Sequence, residues 1–362
     1  MFIGIKNKII KCITKCLFSY EYPHKIAIYR YGSFGDSIVA FPALKTIREG
    51  FKNSEIHIYN KPGAENLINM QDLLDESVYD KIIILTKDIS YFRLRRVLAK
   101  ERYDLYIELS IPGLSFIKIL QKLLFLKVSR VKYAAGFDIT PGKRFSRFYK
   151  KAYTFIPERK RLLNNLKDLN VQNDRELTFP IKEISKNIEK VKSHLHKDKL
   201  NKNRLIILAI KSKRKSSTWN KNNWIELASK LMAKKYDIVL IGGTADREFS
   251  DEITNKSDKN KLRSYAGKLN VLDSAALIKI AKLVIAVDSG PMHLAYALNT
   301  KLIALFSARD YAEKWYPPIN RGIVLRHDIK CSPCFLDKCP INNKCINDIT
   351  VEEVEETVGL YI

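Results

Sequence analysis

No run of about 18 uninterrupted apolar residues occurs anywhere in the chain, so no segment is built to cross a bilayer as a helix. The amino-terminal stretch also lacks the unbroken apolar block of a secretory signal, because Lys6, Lys8, Lys11 and Lys15 interrupt it. A cytoplasmic location is therefore expected. Acidic residues are scarce: 39 Asp and Glu face 64 Lys and Arg, leaving a net charge of +25. Such an imbalance says little about fold, but it predicts a surface that attracts polyanions or an anionic membrane. Cysteines are few, and four of the 6 cluster as Cys331-x2-Cys334-x4-Cys339-x5-Cys345. That spacing matches neither a zinc ribbon nor a ferredoxin, and a reducing compartment argues against disulfides. Free thiols, local disulfides and a metal site all stay open for this segment, and no cysteine is assigned to catalysis.

What the chain does contain is enough apolar material, 46% of 362 residues, for two cores of about 150 to 200 residues each. Residues 1–20 form a basic amphipathic segment. Ile5, Ile9, Ile13 and Leu17 recur every four residues, and Lys8, Lys11 and Lys15 lie on another face. It reads equally as a helix docked on its own domain or as one lying on an anionic membrane. From there strand-like runs at Lys25–Tyr31, Glu55–Tyr59, Lys81–Leu85, Asp104–Leu109 and Val131–Ala135 alternate with helical patterns at Ser37–Glu49, Tyr91–Lys100 and Leu114–Val128. A charged stretch at 182–203 reads as a connecting helix and linker. Alternation then resumes with strands at Arg204–Ile210, Tyr236–Ile241, Leu283–Val287 and Lys301–Phe306, and helices at Lys221–Ala233, Arg247–Asn255, Leu272–Ala281 and Pro291–Leu298. Repeated strand–helix–strand units imply parallel sheets. The predicted fold class is α/β, with two Rossmann-like, doubly wound domains, 21–181 and 204–362, and an interdomain cleft between them.

Ligands in such domains sit beyond the carboxyl ends of the strands, and three motifs fall there. Tyr31-Gly32-Ser33-Phe34-Gly35-Asp36-Ser37 follows the first strand and opens a helix. It has neither the third glycine of a dinucleotide fingerprint nor the Gly-Lys-Ser/Thr ending of a phosphate loop. Gly32, Ser33 and Gly35 shape a turn that presents the Asp36 carboxylate, and taken alone the motif favours a helix cap. Val287-Asp288-Ser289-Gly290-Pro291-Met292-His293 follows another apolar strand. Pro291 suits the first helical turn, whose N–H groups and partial positive charge suit a diphosphate, and His293 lies within reach of it. Gly242-Gly243-Thr244-Ala245-Asp246-Arg247-Glu248 offers Asp246 and Glu248 to ribose hydroxyls, or as first-turn acids of their own helix.

The combination of Gly32-x2-Gly35-Asp36, Trp219-x4-Trp224, Ala266-Gly267-Lys268 and Asp288-Ser-Gly-Pro-Met-His293 resembles glycosyltransferase family 9, the heptosyltransferases of lipopolysaccharide core assembly. Cys331-Ser-Pro-Cys334-Phe and Ile349-Thr-Val-Glu-Glu-Val354 also look like that family, so the resemblance runs from about Ile26 to Val354. It implies a GT-B fold and inverting transfer of a sugar, heptose from ADP-heptose, to a lipid-linked or lipopolysaccharide-core acceptor. The nucleotide-sugar donor would lie mainly on the second domain. No cofactor and no metal are implied, and the chain contains no Asp-x-Asp pair of the kind that holds a catalytic metal in other glycosyltransferases. By position Asp36 matches the family's catalytic base, and Asp288, Ser289, Gly290 and His293 its donor diphosphate site. One departure concerns the lysine that the family usually carries two residues before Trp219. Ser217 stands there, so Lys215 or Lys213 would have to supply the charge.

Lys143–Arg161 mixes cations with aromatic residues, which is also how single-stranded nucleic-acid binders look. No nucleic-acid-binding signature accompanies it. The expected partner is instead an anionic glycolipid acceptor, met by Lys143, Arg144 and Arg147, with peripheral contact to the inner membrane. Leu114–Val128 is expected mostly to be a core helix with snorkelling lysines, the alternative being a membrane-facing edge near the acceptor site.

Overall fold

The computed structural model describes residues 2–18, 21–62, 68–86, 89–110, 115–139, 156–171, 177–257 and 261–362. The chain divides into two compact units, Met1–Lys182 and Glu183–Ile362.

The first unit runs α1 (Phe2–Leu17), β1 (Lys25–Gly32), α2 (Phe34–Gly50), β2 (Glu55–Pro62), β3 (Lys81–Ile84), α3 (Tyr91–Glu101), β4 (Leu105–Glu108), α4 (Phe116–Val128), β5 (Tyr133–Ala135) and α5 (Glu158–Asn164). Its five strands are all parallel, in the order β3-β2-β1-β4-β5. Ile26, Ala27 and Ile28 of β1 and Leu105 and Ile107 of β4 are buried, as a sheet covered on both faces requires.

The second unit runs α6 (Ser185–Lys197), β6 (Leu205–Ala209), α7 (Lys221–Ala233), β7 (Asp237–Ile241), α8 (Arg247–Asn255), β8 (Leu262–Ser264), α9 (Val271–Ile280), β9 (Leu283–Val287), α10 (Gly290–Ala297), β10 (Leu302–Phe306), β11 (Ile323–Arg326), α11 (Lys344–Asn347) and α12 (Val351–Tyr361). Its parallel strands are ordered β8-β7-β6-β9-β10-β11, the order of the first sheet with one strand added. Every residue of β6, β7, β9 and β10 is buried. Trp219 and Trp224 meet edge to face at 4.9 Å in this core, and the Trp219 indole donates to Ile349 O at 2.9 Å. The Trp-x4-Trp motif is thus a packing feature.

Three segments differ from the periodicity reading. The stretch 182–203, expected as a connecting helix and linker, does carry a helix, α6, but that helix is part of the second unit: its Val191 and Leu195 are buried, and its Lys190 pairs with Asp273 of α9 at 2.6 Å. In α1 the docked face is Ile10, Thr14 and Phe18, whereas Ile5 and Ile9 of the expected four-residue stripe are exposed. In α4 Ile119, Leu123 and Leu126 are buried, but Ile117, Leu124 and Val128 face outward, so the helix is apolar on both sides. Strands β8 and β11 were not legible from pattern. One has three residues with Arg263 at its centre, and the other is a half-buried edge.

Candidate functional site

In each sheet the chain reverses direction once, between neighbouring strands β1 and β4 in the first unit and β6 and β9 in the second. A doubly wound sheet opens a ligand crevice at that point, beyond the strand ends.

In the first unit Asp36 occupies the third position of α2. Its Oδ2 accepts from Ser33 N at 2.6 Å, and Ser33 Oγ accepts from Asp36 N at 3.4 Å, a reciprocal capping box. The carboxylate is half-buried, and Oδ1 accepts no hydrogen bond among the described residues. Gly32, at φ +156°, makes this possible, because a Cβ there would stand 2.7 Å from Cβ of Asp36. Gly35 is buried in the first helical turn.

Beneath this turn lies a charged network that pattern reading missed. Arg30, fully buried at the end of β1, donates through its guanidinium to the carbonyls of Asp36 and Leu109. It thereby ties the turn after β1 to the one after β4. Burial lowers its pKa below the ordinary arginine value. Glu108, buried at the end of β4, pairs with Lys122 and accepts from the hydroxyls of Ser110 and of Tyr106, the latter at 3.1 Å. Arg161 of α5 holds Glu158 at 2.7 Å, pairs with Asp138 and donates to Ser110 O at 2.6 Å. Burial alone would lower the Arg161 pKa, but Glu158 and Asp138 raise it above the usual range. Burial raises the Asp138 carboxyl despite that partner. An arginine inside a β-strand was the available signal, because so strong a donor group is not buried without acceptors.

In the second unit β6 and β9 run side by side, with Ala209 opposite Ala286, so the loops that follow them are neighbours. The loop after β9 is Asp288-Ser289, followed by α10. The Ser289 hydroxyl donates to Val287 O at 2.9 Å and does not cap the helix, so the turn at Gly290 has no side-chain cap. His293 is buried. Its Nδ1 meets the Tyr296 hydroxyl at 2.9 Å, and its Nε2 lies 3.9 Å from the half-buried Asp288 carboxylate. Its ring edge faces Trp315 at 6.4 Å.

The loop after β6 carries Lys211, Lys213, Arg214 and Lys215. Lys213 and Lys215 are exposed, whereas Ser217 is buried with its hydroxyl 2.8 Å from that of Ser307. The cysteine-rich segment 331–345 braces this loop. Ser216 N donates to Asp337 O at 3.0 Å, and its hydroxyl to Leu336 O at 2.6 Å. Asn343 donates to the carbonyls of Lys215 at 2.8 Å and Thr218 at 3.0 Å, while Arg214 pairs with Asp337. Buried Arg309 donates to Leu336 O at 2.9 Å and Phe335 O at 3.1 Å. The cysteines are free thiols. Burial raises the Cys345 thiol, whose sulfur accepts from Ala308 N at 3.3 Å. Among the described residues no group of three His, Cys, Asp or Glu is arranged to hold a metal ion.

The Gly242-Gly243 turn is closed from within. Asp246 accepts from Gly243 N at 2.9 Å, and its carboxylate lies 4.0 Å from Lys211. Glu248 is exposed in the first turn of α8. Gly267, at φ +67°, donates to Gly242 O at 2.9 Å, and a Cβ on it would come within 2.8 Å of the Thr244 backbone. Ala266-Gly267-Lys268 is therefore a brace on that turn. Lys143, Arg144 and Arg147 lie outside the described residues.

The chain matches known structures over almost its whole length. A glycosyltransferase family 9 protein from Veillonella parvula DSM 2008 superposes with a TM-score of 0.73 at 20% identity, covering 95% of this chain and 98% of that one. The E. coli ADP-heptose lps heptosyltransferase II does so with a TM-score of 0.66 at 18% identity, covering 93% and 98%. The fold is GT-B, and the protein is a glycosyltransferase. More particularly, residues 91–345 match the model of glycosyltransferase family 9 (heptosyltransferase), and the chain belongs to that family. It is 27% identical over 342 residues to lipooligosaccharide heptosyltransferase 2 of Campylobacter jejuni subsp. jejuni serotype O:6, covering 92% of this chain and 98% of the relative.

Proposed function

We propose that the protein transfers heptose from ADP-heptose, with inversion and without a metal, to a lipid-linked or lipopolysaccharide-core acceptor at the inner face of a bacterial membrane. The observation that carries this reading is the crevice between β6 and β9, where a helix start without a side-chain cap stands beside a loop with two exposed lysines. Helix N–H groups and cations are what a departing nucleoside diphosphate needs. In this reading Ser289 and Gly290 shape the diphosphate seat. Asp288 and His293, held by Tyr296, orient it, and Lys213 or Lys215 neutralises it. Asp246 and Glu248 are assigned to the ribose side. The exposed Glu248 is the better candidate of the two, since Asp246 already closes its own turn.

Asp36 is the general base. It takes the proton of the acceptor hydroxyl as that oxygen attacks the anomeric carbon. The bond from that carbon to phosphate breaks, and its electron pair leaves with ADP. The capping box fixes the carboxylate through Oδ2 and leaves Oδ1 for the proton. Lys143, Arg144 and Arg147 are assigned to anionic groups of the acceptor.

One observation favours a different nucleotide sugar for another surface glycan: the position expected to hold a phosphate-binding lysine is the buried Ser217. Thermal shift against ADP-heptose and a panel of ADP-, UDP-, GDP- and CMP-sugars separates the two. A donor at ~100 times its dissociation constant stabilises the folded protein by roughly 2.7 kcal/mol. Selective stabilisation by ADP-heptose is expected. Selectivity for another donor would replace the sugar and keep the class, and a response to oligonucleotides alone would remove the transferase reading of this crevice.

A further inference from the structure

The first unit has one face whose sequence and burial do not suit a water-exposed surface. On α1, Ile5, Ile9, Cys12 and Cys16 follow the spacing i, i+4, i+7, i+11, which aligns them on one side of a helix, and all four are exposed. This is the side away from Ile10, Thr14 and Phe18, which dock α1 on its own unit. Helix α4 repeats the spacing with Ile117, Gln121, Leu124 and Val128, again all exposed. The three apolar members of that stripe are 66%, 58% and 56% exposed, so the stripe is not residual curvature of the core.

The two helices are neighbours. Lys127 of α4 donates to Leu17 O of α1 at 2.5 Å and lies over the Phe18 ring. On the other flank Arg95 of α3 donates to Val128 O of α4, and α3 adds Phe92, 65% exposed, with Arg96 stacked on its ring. The side chains α1, α4 and α3 turn outward therefore belong to one continuous surface.

Its charge is mostly of one sign. Lys6, Lys8 and Lys15 lie on α1, Arg93, Arg95, Arg96 and Lys100 on α3, and Lys118 and Lys127 on α4, whereas Lys11 is paired with Asp168 at 2.7 Å and Lys122 turns inward to Glu108. The three helices carry one acid, Glu101, which is already paired with Lys25 at 2.6 Å. No helix among the described residues is long and apolar enough to cross a membrane. Apolar stripes bordered by cations, on helices too short to span, have the composition of a surface that lies in the headgroup layer.

We propose that the outward face of α1, α4 and α3 docks the protein on an anionic phospholipid bilayer, with Ile5, Ile9, Ile117, Leu124, Val128 and Phe92 entering the interface and the flanking Lys and Arg meeting lipid phosphates. This deepens the reading of a lipid-linked acceptor and rests on it for its purpose. Its test involves neither donor nor acceptor.

The full chain is sedimented with vesicles of phosphatidylethanolamine and phosphatidylglycerol, and with vesicles of phosphatidylcholine. Strong, salt-sensitive binding to the first and little to the second is expected. Ile117→Glu with Leu124→Glu should weaken it by about tenfold or more, with an unchanged melting temperature, because both side chains are already in water. Arg93→Glu with Arg96→Glu should abolish the preference for the anionic lipid. Wild-type protein that ignores anionic vesicles overturns the proposal. So does vesicle binding that survives both double variants, or a face whose charge-reversal variant loses only single-stranded oligonucleotide binding. Transfer to a delipidated acceptor, measured in parallel, separates failure of this surface from failure of the enzymatic reading.

Discussion

The two units share a strand order and little else in how they use charge. In the second unit the strands flanking the crevice are wholly apolar, and its cations sit on a loop that a separate segment braces from outside. In the first unit charge is carried into the sheet itself. Arg30 ends β1, Glu108 ends β4, and Arg161 with Glu158 closes the network from α5. A buried ion network gains little stability over apolar packing but makes removal of any one member costly. The difference suits the two tasks proposed for them. A diphosphate can be held by a helix start and exposed cations, whereas the carboxylate proposed as the base needs its backbone fixed, and Arg30 donates directly to the carbonyl of Asp36.

The sharpest way to break this comparison is at Asp36. Asp36→Asn keeps the shape of the cap and removes the base, so turnover should fall by about 10²- to 10⁴-fold, while the donor-induced thermal shift stays. Turnover that persists in steady-state assays would leave Asp36 as a cap alone. Next comes the support beneath it. Arg161→Ala leaves Glu158 and Asp138 buried without their cation and should cost roughly 3–5 kcal/mol in urea unfolding. A loss below about 1 kcal/mol would mean that the network is wetter than its burial indicates.

The second unit should respond more gently. Lys213→Ala with Lys215→Ala should weaken donor affinity by roughly tenfold, as loss of a charge-assisted phosphate contact does, and leave the melting temperature of the free protein unchanged. Calorimetric titration with donor decides it, and unchanged affinity would move the phosphates off this loop. The smallest effect belongs to Asp273. Burial opposes its ionisation, yet Lys190 and Asn187 hold its pKa below the ordinary 3.8. A carboxylate depressed on folding stabilises above its unfolded pKa and loses that contribution as pH falls through the folded one. Asp273→Asn should therefore cost about 1 kcal/mol at neutral pH and flatten the loss of stability below pH ~4, followed by acid titration of the melting temperature. An unchanged acid profile would mean that the pair between α6 and α9 contributes nothing measurable.

Much of this molecule was legible before its coordinates. Period-two and period-3.6 patterns act over a few residues, so nine of the strands and the helices Lys221–Ala233 and Arg247–Asn255 fall where local pattern puts them. The motif spacing of Gly32–Asp36 and Asp288–His293 was enough to indicate a glycosyltransferase of two parallel-sheet domains. Strand order is a different matter, because pairing β1 with β4 and β6 with β9 joins segments far apart in the chain, and no local pattern encodes it. For the same reason the sequence could not show that Asp36 closes a reciprocal capping box with Ser33, nor reveal that Asp246 closes its own turn. Nor could it show that Ser217 is turned inward against Ser307, or that Arg30 and Arg161 find their acceptors in the interior. Helices apolar on two faces, α1 and α4, show the limit most clearly. Periodicity reports both stripes alike, and only the neighbours supplied by the fold decide which stripe is covered and which is left to face outward.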